Sequence, residues 1–232
     1  MHVIDLSGSL IERDAGLSGY LLEFRSSVLS ALRPISGDET TVDQAIIVTG
    51  GGDLARDYQD TYRQIVTAPC DDAQDWIGIA ATRLHGELLR HVFAPDCCAA
   101  LITDPTTVSD FPGRVMIAAG WKPGFSTDYD AILLAQRFKA DTVIKMSNVG
   151  MVYSADPKID NSARPLTHVS WGELESMNSG SWHPGSRLPF DPVATRAASQ
   201  HGMTVIFTGS DTDNLSAILE GRPYLGTTIS GD

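Results

Sequence analysis

Several short runs of apolar residues in this chain of 232 residues lack the apolar–polar alternation of a half-buried strand. The run AIIV begins at Ala45, and the run TVIF begins at Thr204. A strand that is apolar on both faces is buried on both faces, which is typical of a parallel sheet covered by helices on each side. Longer helical stretches separate the runs. The pattern therefore predicts an α/β fold, a three-layer αβα sandwich with a mostly parallel central sheet.

Periodicity and chain punctuation predict six strands and six helices. The strands are His2–Leu6, Ala45–Thr49, Ala99–Thr103, Val115–Ala118, Thr142–Met146 and Thr204–Thr208. The helices are Leu17–Leu32, Leu54–Gln64, Asp75–Phe93, Asp128–Phe138, Pro192–His201 and Asn214–Leu219. The third helix repeats apolar residues with the period of one buried face, at Trp76, Ile79, Ala80, Leu84, Leu88 and Val92. The proline-containing stretch Asp156–Pro189 is expected to form loops, as a flap or a partly mobile insertion.

The charge balance is acidic, with 29 Asp and Glu against 17 Lys and Arg and a net charge of -12. Lysine is scarce, and the first lysine of the chain is Lys122. Binding of a nucleic acid polymer requires a basic stripe that neutralises phosphates, and the sequence has none. We therefore expect no nucleic acid partner, and any small phosphate ligand must be held by backbone amides and a few cations.

The cysteines and histidines show no spacing typical of a disulfide framework or a metal site. Cys97 and Cys98 open an apolar run and are expected to be buried strand residues. His85 and His91 lie six apart on a predicted helix and are expected to be surface or internally satisfied residues rather than ligands. No basic leader precedes the first apolar residues, and no window holds 18 apolar residues. We expect a cytoplasmic, reduced protein without a membrane partner.

Glycine-rich segments follow several of the predicted strands. They are Ser7-Gly8-Ser9, Gly50-Gly51-Gly52-Asp53, the segment from Gly120 to Asp128, and Gly209-Ser210-Asp211. In open α/β sheets, ligands bind outside the carboxyl ends of the strands, where glycines let backbone amides approach an anion. No GxxxxGK[ST] motif occurs, and GGGDLAR lacks the spacing of a dinucleotide site. Several separate anion cradles favour two phosphorylated ligands that meet face to face, as a small-molecule phosphoryl transferase requires.

Seven blocks of the sequence resemble, in the same order, motifs of the uridylate (UMP) kinases. The blocks are VIDLSGSLI, VTGGGDLARDY, DWIGIAATRLHGELL, GWKPGFSTDYDAILLA, SNVGMVYSADPK, LPFDPVAT and LEGRPYLGTTI. The chain looks most like the archaeal-type branch, within the amino acid kinase superfamily. The resemblance implies a single amino acid kinase domain over residues 1–232, of the carbamate kinase-like type, that transfers the γ-phosphoryl group of ATP to UMP. A nucleoside-monophosphate half would occupy about residues 1–120, and an ATP half about residues 121–232.

The resemblance also implies a UMP site. Its residues would be Gly50, Gly51, Gly52, Arg56, Asp75, Ser126, Thr127 and Asp128. The three glycines would cradle the phosphate through their amides, Arg56 would grip it bidentately, and Asp75 would accept the ribose hydroxyls. Simpler roles stay open from the residues alone: Arg56 as a partner of a nearby aspartate (Asp53, Asp57 or Asp60), Asp75 as a helix N-cap, and Ser126 to Asp128 as caps of the next helix.

An ATP site and a catalytic group are implied in the same way. The ATP residues would be Gly8, Ser9, Ser147, Asn148, Tyr153, Asp156 and Pro157. Asp191 matches the aspartate that orients the catalytic apparatus, and its alternative is an N-cap followed by Pro at the first helical position. Mg²⁺ would accompany the nucleotide, held mainly by phosphates and water.

The sequence departs from the family pattern at two positions, and the first of them removes a cation that would neutralise the phosphoryl group. Many superfamily members have a lysine in the first strand, in a KxxGS motif, where this chain has Asp5. The NVDGVY motif loses its aspartate at Gly150. Lys122 and Lys145 are therefore the candidates that would neutralise the transferring phosphoryl group. Two other functions stay open: a superfamily kinase for another small molecule, and a non-catalytic nucleotide-binding protein that resembles molybdenum storage proteins. Homo-oligomerisation, as a hexamer, is expected from the resemblance.

Overall fold

The computed structural model describes residues 1–11, 16–32, 34–35, 38–157, 159–177 and 188–231. Its strands are β1 (His2–Leu6), β2 (Pro34–Ile35), β3 (Asp38–Val42), β4 (Ala45–Thr49), β5 (Val115–Ala118), β6 (Thr142–Met146), β7 (Val152–Tyr153), β8 (Pro165–Leu166), β9 (His168–Ser170), β10 (Thr204–Thr208) and β11 (Thr227–Ser230). Its helices are α1 (Gly8–Ile11), α2 (Leu17–Ala31), α3 (Gly52–Ile65), α4 (Asp71–Val92), α5 (Thr127–Arg137), α6 (Trp171–Met177), α7 (Pro192–Gln200) and α8 (Thr212–Leu219).

Seven strands form the central sheet, in the order β5-β4-β1-β6-β10-β11-β9. All neighbouring pairs are parallel except β10 and β11. The strand β1 lies between β4 and β6, so the loops that follow these three strands emerge side by side at one edge of the sheet. The predicted mostly parallel sheet is confirmed, and so are five of the six predicted strands.

Two apolar layers cover the two faces of this sheet. Alternate residues of β4 point into different layers: Ile46 and Val48 pack with α5 and α7, whereas Ala45 and Ile47 pack with α2, α4 and α8. Side chains on both faces of the central strands are therefore buried, which explains why their sequences are continuously apolar. The three-layer αβα sandwich is confirmed.

The structure corrects three expectations about individual elements. Ala99–Thr103 is not a strand, because only Ile102 forms a bridge, to Ala118. The stretch Asp156–Pro189 is more ordered than predicted, since it contains β8, β9 and α6, although residue 158 and residues 178–187 lie outside the described part of the chain. The strand β11 was not predicted, and it is the antiparallel partner of β10.

The helix α4 buries a different face from the predicted one. Trp76, Leu84 and Leu88 of the predicted apolar face are 50%, 62% and 41% exposed, while Ile79 is buried as expected. The face that packs on the molecule carries mostly small and polar residues besides Ile79 and Leu89, namely Gln74, Ala81, Thr82, His85 and Gly86. Apolar periodicity therefore located an apolar stripe on α4 that does not face the core of this chain.

Candidate active site

Two glycine loops touch each other at the carboxyl ends of β1 and β4. A Cβ atom placed on Gly50 would lie 2.8 Å from the nitrogen of Gly8. A Cβ atom placed on Gly8 would lie 2.5 Å from the carbonyl oxygen of Gly50 and closer still to the Gly52 nitrogen. These positions accept only glycine, since any side chain would push the loops apart. The expected cradles for two ligands are thus in direct backbone contact.

The loop Gly50–Gly52 leads directly into α3. Gly50 donates its N–H to the carbonyl of Leu6, 2.9 Å away, which extends the β1–β4 pairing by one residue. Gly52 has a φ of +65°, a conformation that favours glycine, and it opens α3. The first amides of a helix lack intrahelical partners and carry the positive end of the helix dipole. The loop can therefore bind an anion through its backbone.

Arg56 lies one turn into α3, beside this loop. Its Nε donates to Asp53 Oδ1 at 3.0 Å, and its Nη2 also contacts that oxygen. The structure therefore contains the pairing with a nearby aspartate that the sequence left open. Only 30% of the Arg56 side chain is exposed, while Asp53 is 64% exposed. A bound phosphate at the loop would compete with Asp53 for the guanidinium.

A buried lysine bridges two carboxylates beneath the loops. Lys145 of β6 is the direct register partner of Asp5 on β1, and its Nζ lies 3.0 Å from Asp5 Oδ2. The same Nζ donates to Asp128 Oδ1 at 2.6 Å, at the start of α5. Asp5 is fully buried, and its Oδ1 has no hydrogen-bond partner within the described residues. The resemblance places a lysine on the first strand in many superfamily members. In this chain the ammonium lies beside β1 but belongs to Lys145 of the neighbouring strand β6.

Burial and charge act in opposite directions on this trio. Burial alone would lower the pKa of Lys145, but the attraction of Asp128 and Asp5 outweighs burial and raises it above its ordinary value. Burial raises the pKa of Asp5, against the opposing pull of Lys145. Burial would also raise the pKa of Asp128, yet Lys145 and the hydrogen bonds around it hold that pKa below its usual value. Lys145 therefore stays charged, and Asp128 is its main counter-ion.

Asp191 is tied to this trio through its backbone. Its N–H donates to Asp128 Oδ2 at 2.8 Å, and its own carboxylate caps α7 by accepting from the N–H of Ala194 at 2.7 Å. Pro192 follows in the first turn, so the N-cap role that the sequence left open for Asp191 is confirmed. Burial raises the pKa of Asp191 to about 6. The candidate catalytic residues Asp191 and Lys145 are thus joined by Asp128.

The loop after β5 is held by side chains of α4 and α5. The N–H of Gly124 donates to Asp75 Oδ2 at 2.7 Å, and the N–H of Trp121 donates to Asp130 Oδ2 at 3.1 Å. The N-cap of α4 is Cys70, so an N-cap role for Asp75 is wrong. The Nζ of Lys122 lies 3.8 Å from the centre of the Trp121 ring, a cation–π contact. Lys122 therefore lies against an aromatic ring, whereas Lys145 lies between two carboxylates.

The remaining candidates lie after β1 and β6, at the start of α5, and in or after β7, which belongs to a separate two-stranded sheet. Ser126 caps α5 by accepting from the N–H of Tyr129 at 3.2 Å, which confirms its capping role, and Thr127 opens that helix. The Ser9 hydroxyl lies 3.0 Å from that of Ser7. Residues of the expected ATP side follow β6 and β7, where the Ser147 hydroxyl is 3.3 Å from Asn148 Oδ1. Tyr153 lies in β7, and the carbonyl of Asp156 accepts two backbone hydrogen bonds in the turn that contains Pro157.

Two buried groups near the loops are not among the candidate site residues that the sequence indicated. Asp130 is 1% exposed, and burial raises its pKa to about 7. His85 of α4 is buried, and its Nδ1 lies 2.9 Å from the carbonyl oxygen of Gly50. The sequence left two roles for His85, a surface residue or an internally satisfied one, and the structure shows the second. The only signal available in the sequence was that each is a polar residue within a predicted helix.

This arrangement defines a class of protein, an α/β fold with two glycine loops in contact at the carboxyl edge of its sheet. The family model "Amino acid kinase family" matches residues 1–209. A uridylate kinase from Methanosarcina barkeri is 32% identical over 98% of this chain and 95% of its own length. The chain therefore belongs to the amino acid kinase family, and archaeal uridylate kinases are among its full-length relatives.

Solved structures agree with this placement. The crystal structure of the uridylate kinase from Archaeoglobus fulgidus is 30% identical, with a TM-score of 0.81 over 99% of this chain and 100% of that one. A UMP kinase from Bacillus anthracis, 20% identical with a TM-score of 0.74, covers 99% of this chain and 95% of its own, and shares the fold. None of the helices in the described part of the chain is long and apolar enough to span a membrane.

Proposed function

We propose that this protein is a UMP kinase, which converts ATP and UMP to ADP and UDP. The observation that carries the proposal is the backbone contact between Gly8 and Gly50–Gly52, beside the buried Lys145–Asp128 pair. Two anion cradles in contact would bring two phosphate chains within reacting distance. The similarity to archaeal uridylate kinases over nearly the whole chain supports UMP as the acceptor.

In this proposal the residues before about 120 bind UMP. The amides of Gly50–Gly52 and the guanidinium of Arg56 hold its phosphate, and Asp75 accepts a ribose hydroxyl while it holds Gly124. The residues Ser126 to Asp128 lie between the two ligands. Residues after about 121, together with Gly8 and Ser9, bind ATP: Ser147, Asn148, Tyr153, Asp156 and Pro157 form the nucleotide side of the cleft.

The proposed reaction needs charge stabilisation more than proton transfer. A phosphate oxygen of UMP attacks the γ-phosphorus of ATP, a new P–O bond forms, and the bond to the β-phosphate oxygen breaks as ADP leaves with its electron pair. A phosphate monoester has a second pKa of about 6, so the attacking oxygen is already ionised at neutral pH. Lys145 and Lys122 supply positive charge to the transferring group. Asp128 holds the Lys145 ammonium in place, and the backbone N–H of Asp191 holds Asp128.

Magnesium fits this site as a companion of ATP rather than as an ion in a protein cage. The described residues contain no cluster of three or more His, Cys, Asp or Glu side chains that could hold a metal. Of the facing carboxylates, Asp5 and Asp128 each direct an oxygen at the Lys145 ammonium. Phosphate oxygens and water would hold Mg²⁺, which neutralises phosphate charge when bound.

We also propose that the enzyme works in the cytoplasm as a homo-oligomer, a hexamer by resemblance. The exposed apolar stripe of α4, formed by Trp76, Ala80, Leu84 and Leu88, is the surface that another copy would cover. An apolar stripe of this length on one helix is typical of an interface between copies.

A coupled assay of ADP release over a panel of acceptors tests the function. The panel contains UMP, CMP, AMP, isopentenyl phosphate, carbamate and aspartate, and UMP is expected to give the highest kcat/KM. ADP release with other acceptors but not with UMP would refute the proposal and favour another kinase of the superfamily. Tight binding of ATP without turnover on any acceptor would favour a non-catalytic nucleotide-binding protein.

A further inference from the structure

His85 contacts the proposed phosphate loop from behind. It lies on α4, is 6% exposed, and its Nδ1 is 2.9 Å from the Gly50 carbonyl oxygen. A carbonyl oxygen only accepts, so Nδ1 carries a proton and donates it to Gly50. The histidine therefore holds one backbone carbonyl of the loop that leads into α3.

This contact fixes more than the carbonyl. The Gly50–Gly51 peptide is trans, so its C=O and the N–H of Gly51 point in opposite directions from one rigid plane. Because the carbonyl points at His85 on α4, the Gly51 amide points away from α4. The Gly50 N–H is already bound to Leu6, so both ends of the residue are held. Glycine has no side chain that would otherwise restrict its rotation.

The amide that this arrangement directs is available for a ligand. Within the described part of the chain, neither the Gly51 amide nor the Gly52 amide has a backbone or side-chain acceptor. The rest of the loop is closely packed: a Cβ on Gly51 would meet the Ala55 Cβ at 2.7 Å. The Thr49 hydroxyl ties the end of β4 to α4 by donating to the Thr82 carbonyl at 2.9 Å. The peptide after Gly50 is held from α4 by the hydrogen bond of His85.

We propose that His85 is a positioning residue for the acceptor phosphate: its hydrogen bond to the Gly50 carbonyl aims the Gly51 amide at the phosphate of UMP. The inference rests on the proposed function, since it takes the Gly50–Gly52 loop as the UMP phosphate cradle. His85 itself touches no substrate. Without it, the peptide could rotate, and the amide would have to be ordered each time a phosphate binds.

The test compares the affinities of UMP and uridine in variants of His85, measured by calorimetry without ATP. His85→Phe keeps the ring but removes the donor, and His85→Met is a second apolar variant that adapts to the cavity if the ring does not fit. His85→Asn places an amide nitrogen where Nδ1 lies, so it is expected to rescue binding. Leu89→Ala, in the same helix and away from the loop, is a control that lowers stability.

One hydrogen bond of about 1 to 1.5 kcal/mol corresponds to roughly tenfold in affinity. We expect His85→Phe and His85→Met to weaken UMP about tenfold, to leave uridine within about twofold, and to raise the KM for UMP while kcat stays within about threefold. His85→Asn is expected within about threefold of the wild type, and Leu89→Ala should not change the ratio of UMP to uridine affinity.

Equal losses for UMP and uridine, or a lower melting temperature with unchanged UMP affinity, would overturn the inference and leave His85 a purely structural residue. Failure of the proposed function looks different, because the wild-type protein would then bind UMP no better than uridine. The two outcomes are distinguished before any variant is made.

Discussion

The side chain that most sharply defines this site is Lys145, because two carboxylates hold its charge in a buried position. We expect Lys145→Met to lower kcat at least about 100-fold, as the loss of a group that stabilises transition-state charge typically does. It should also lower stability, since it leaves Asp5 and Asp128 buried without their cation. A stopped assay for UDP and a thermal melt measure the two effects.

A charge swap separates the rate effect from the stability effect. Asp5 and Lys145 are register partners on adjacent strands, so Asp5→Lys combined with Lys145→Asp returns an ammonium to the same level of the sheet. We expect the double variant to melt at a higher temperature than Lys145→Asp alone and to regain at least about tenfold in kcat over it, because like charges no longer meet in the core. A double variant no better than the single one would show that the position of Lys145 itself, rather than its charge, is required.

Asp130 makes stability depend on pH near neutrality. Its pKa is raised from 3.8 to about 7 by burial, so the folded state binds its proton more tightly than the unfolded state does. A group of this kind contributes stability below the unfolded pKa and loses it as the pH rises through about 7. Forcing the carboxyl to ionise costs at most about 4 kcal/mol.

Asp130→Asn removes this cost, because an amide oxygen can still accept from the Trp121 N–H. We expect the variant to melt several degrees above the wild type at pH 8 and by a smaller margin at pH 5, because the cost of losing the proton grows as the pH rises from 3.8 to about 7. Asp72→Asn, an exposed change on α4, is the control and should change neither melt. An equal change at both pH values would mean that Asp130 is not protonated in the folded protein.

At the scale of elements, the contact between the β1–α1 and β4–α3 turns sets the spacing of the two cradles. Gly8→Ala places a methyl group against Gly50 and Gly52, so we expect at least a 100-fold loss in kcat/KM as the two loops separate. Gly19→Ala, in the first turn of α2, is the matched control, since nothing lies within 4 Å of its Cβ. It should keep both stability and activity. Wild-type kcat/KM in Gly8→Ala would show that the loops tolerate wider spacing.

The sequence predicted the elements that are buried on both faces, because continuous apolar runs such as Ile46 to Val48 have no other place in the fold. The sequence did not predict β11 (Thr227–Ser230), because this strand is short and mostly polar. It forms a strand by pairing with β10. The glycine loops were predictable because two backbone segments can approach as closely as Gly8 and Gly50 do only where neither carries a side chain. The Asp5–Lys145 pair was not, since the two residues are 140 positions apart and only the order of strands in the sheet brings them together.

At the scale of the whole molecule, the apolar stripe of α4 is exposed, although periodicity had assigned it to the core. Trp76, Leu84 and Leu88 recur along α4 while the opposite face of the helix packs on the sheet through small and polar side chains. Apolar periodicity identifies an apolar face of a helix, but it does not distinguish a face that packs on its own chain from one that packs on another copy.

We therefore expect the wild-type protein to sediment as an oligomer at micromolar concentration and Leu84→Glu to sediment as a smaller species, because a carboxylate at the centre of an apolar interface would be buried without a partner. Leu22→Glu on α2, at a leucine that is 67% exposed, introduces the same charge away from the stripe and should leave the assembly intact. Circular dichroism of both variants checks that the fold is kept. A monomeric wild-type protein, or equal dissociation of both variants, would exclude the α4 stripe as the interface. Activity of a folded Leu84→Glu monomer would further show that each catalytic site is complete within one chain.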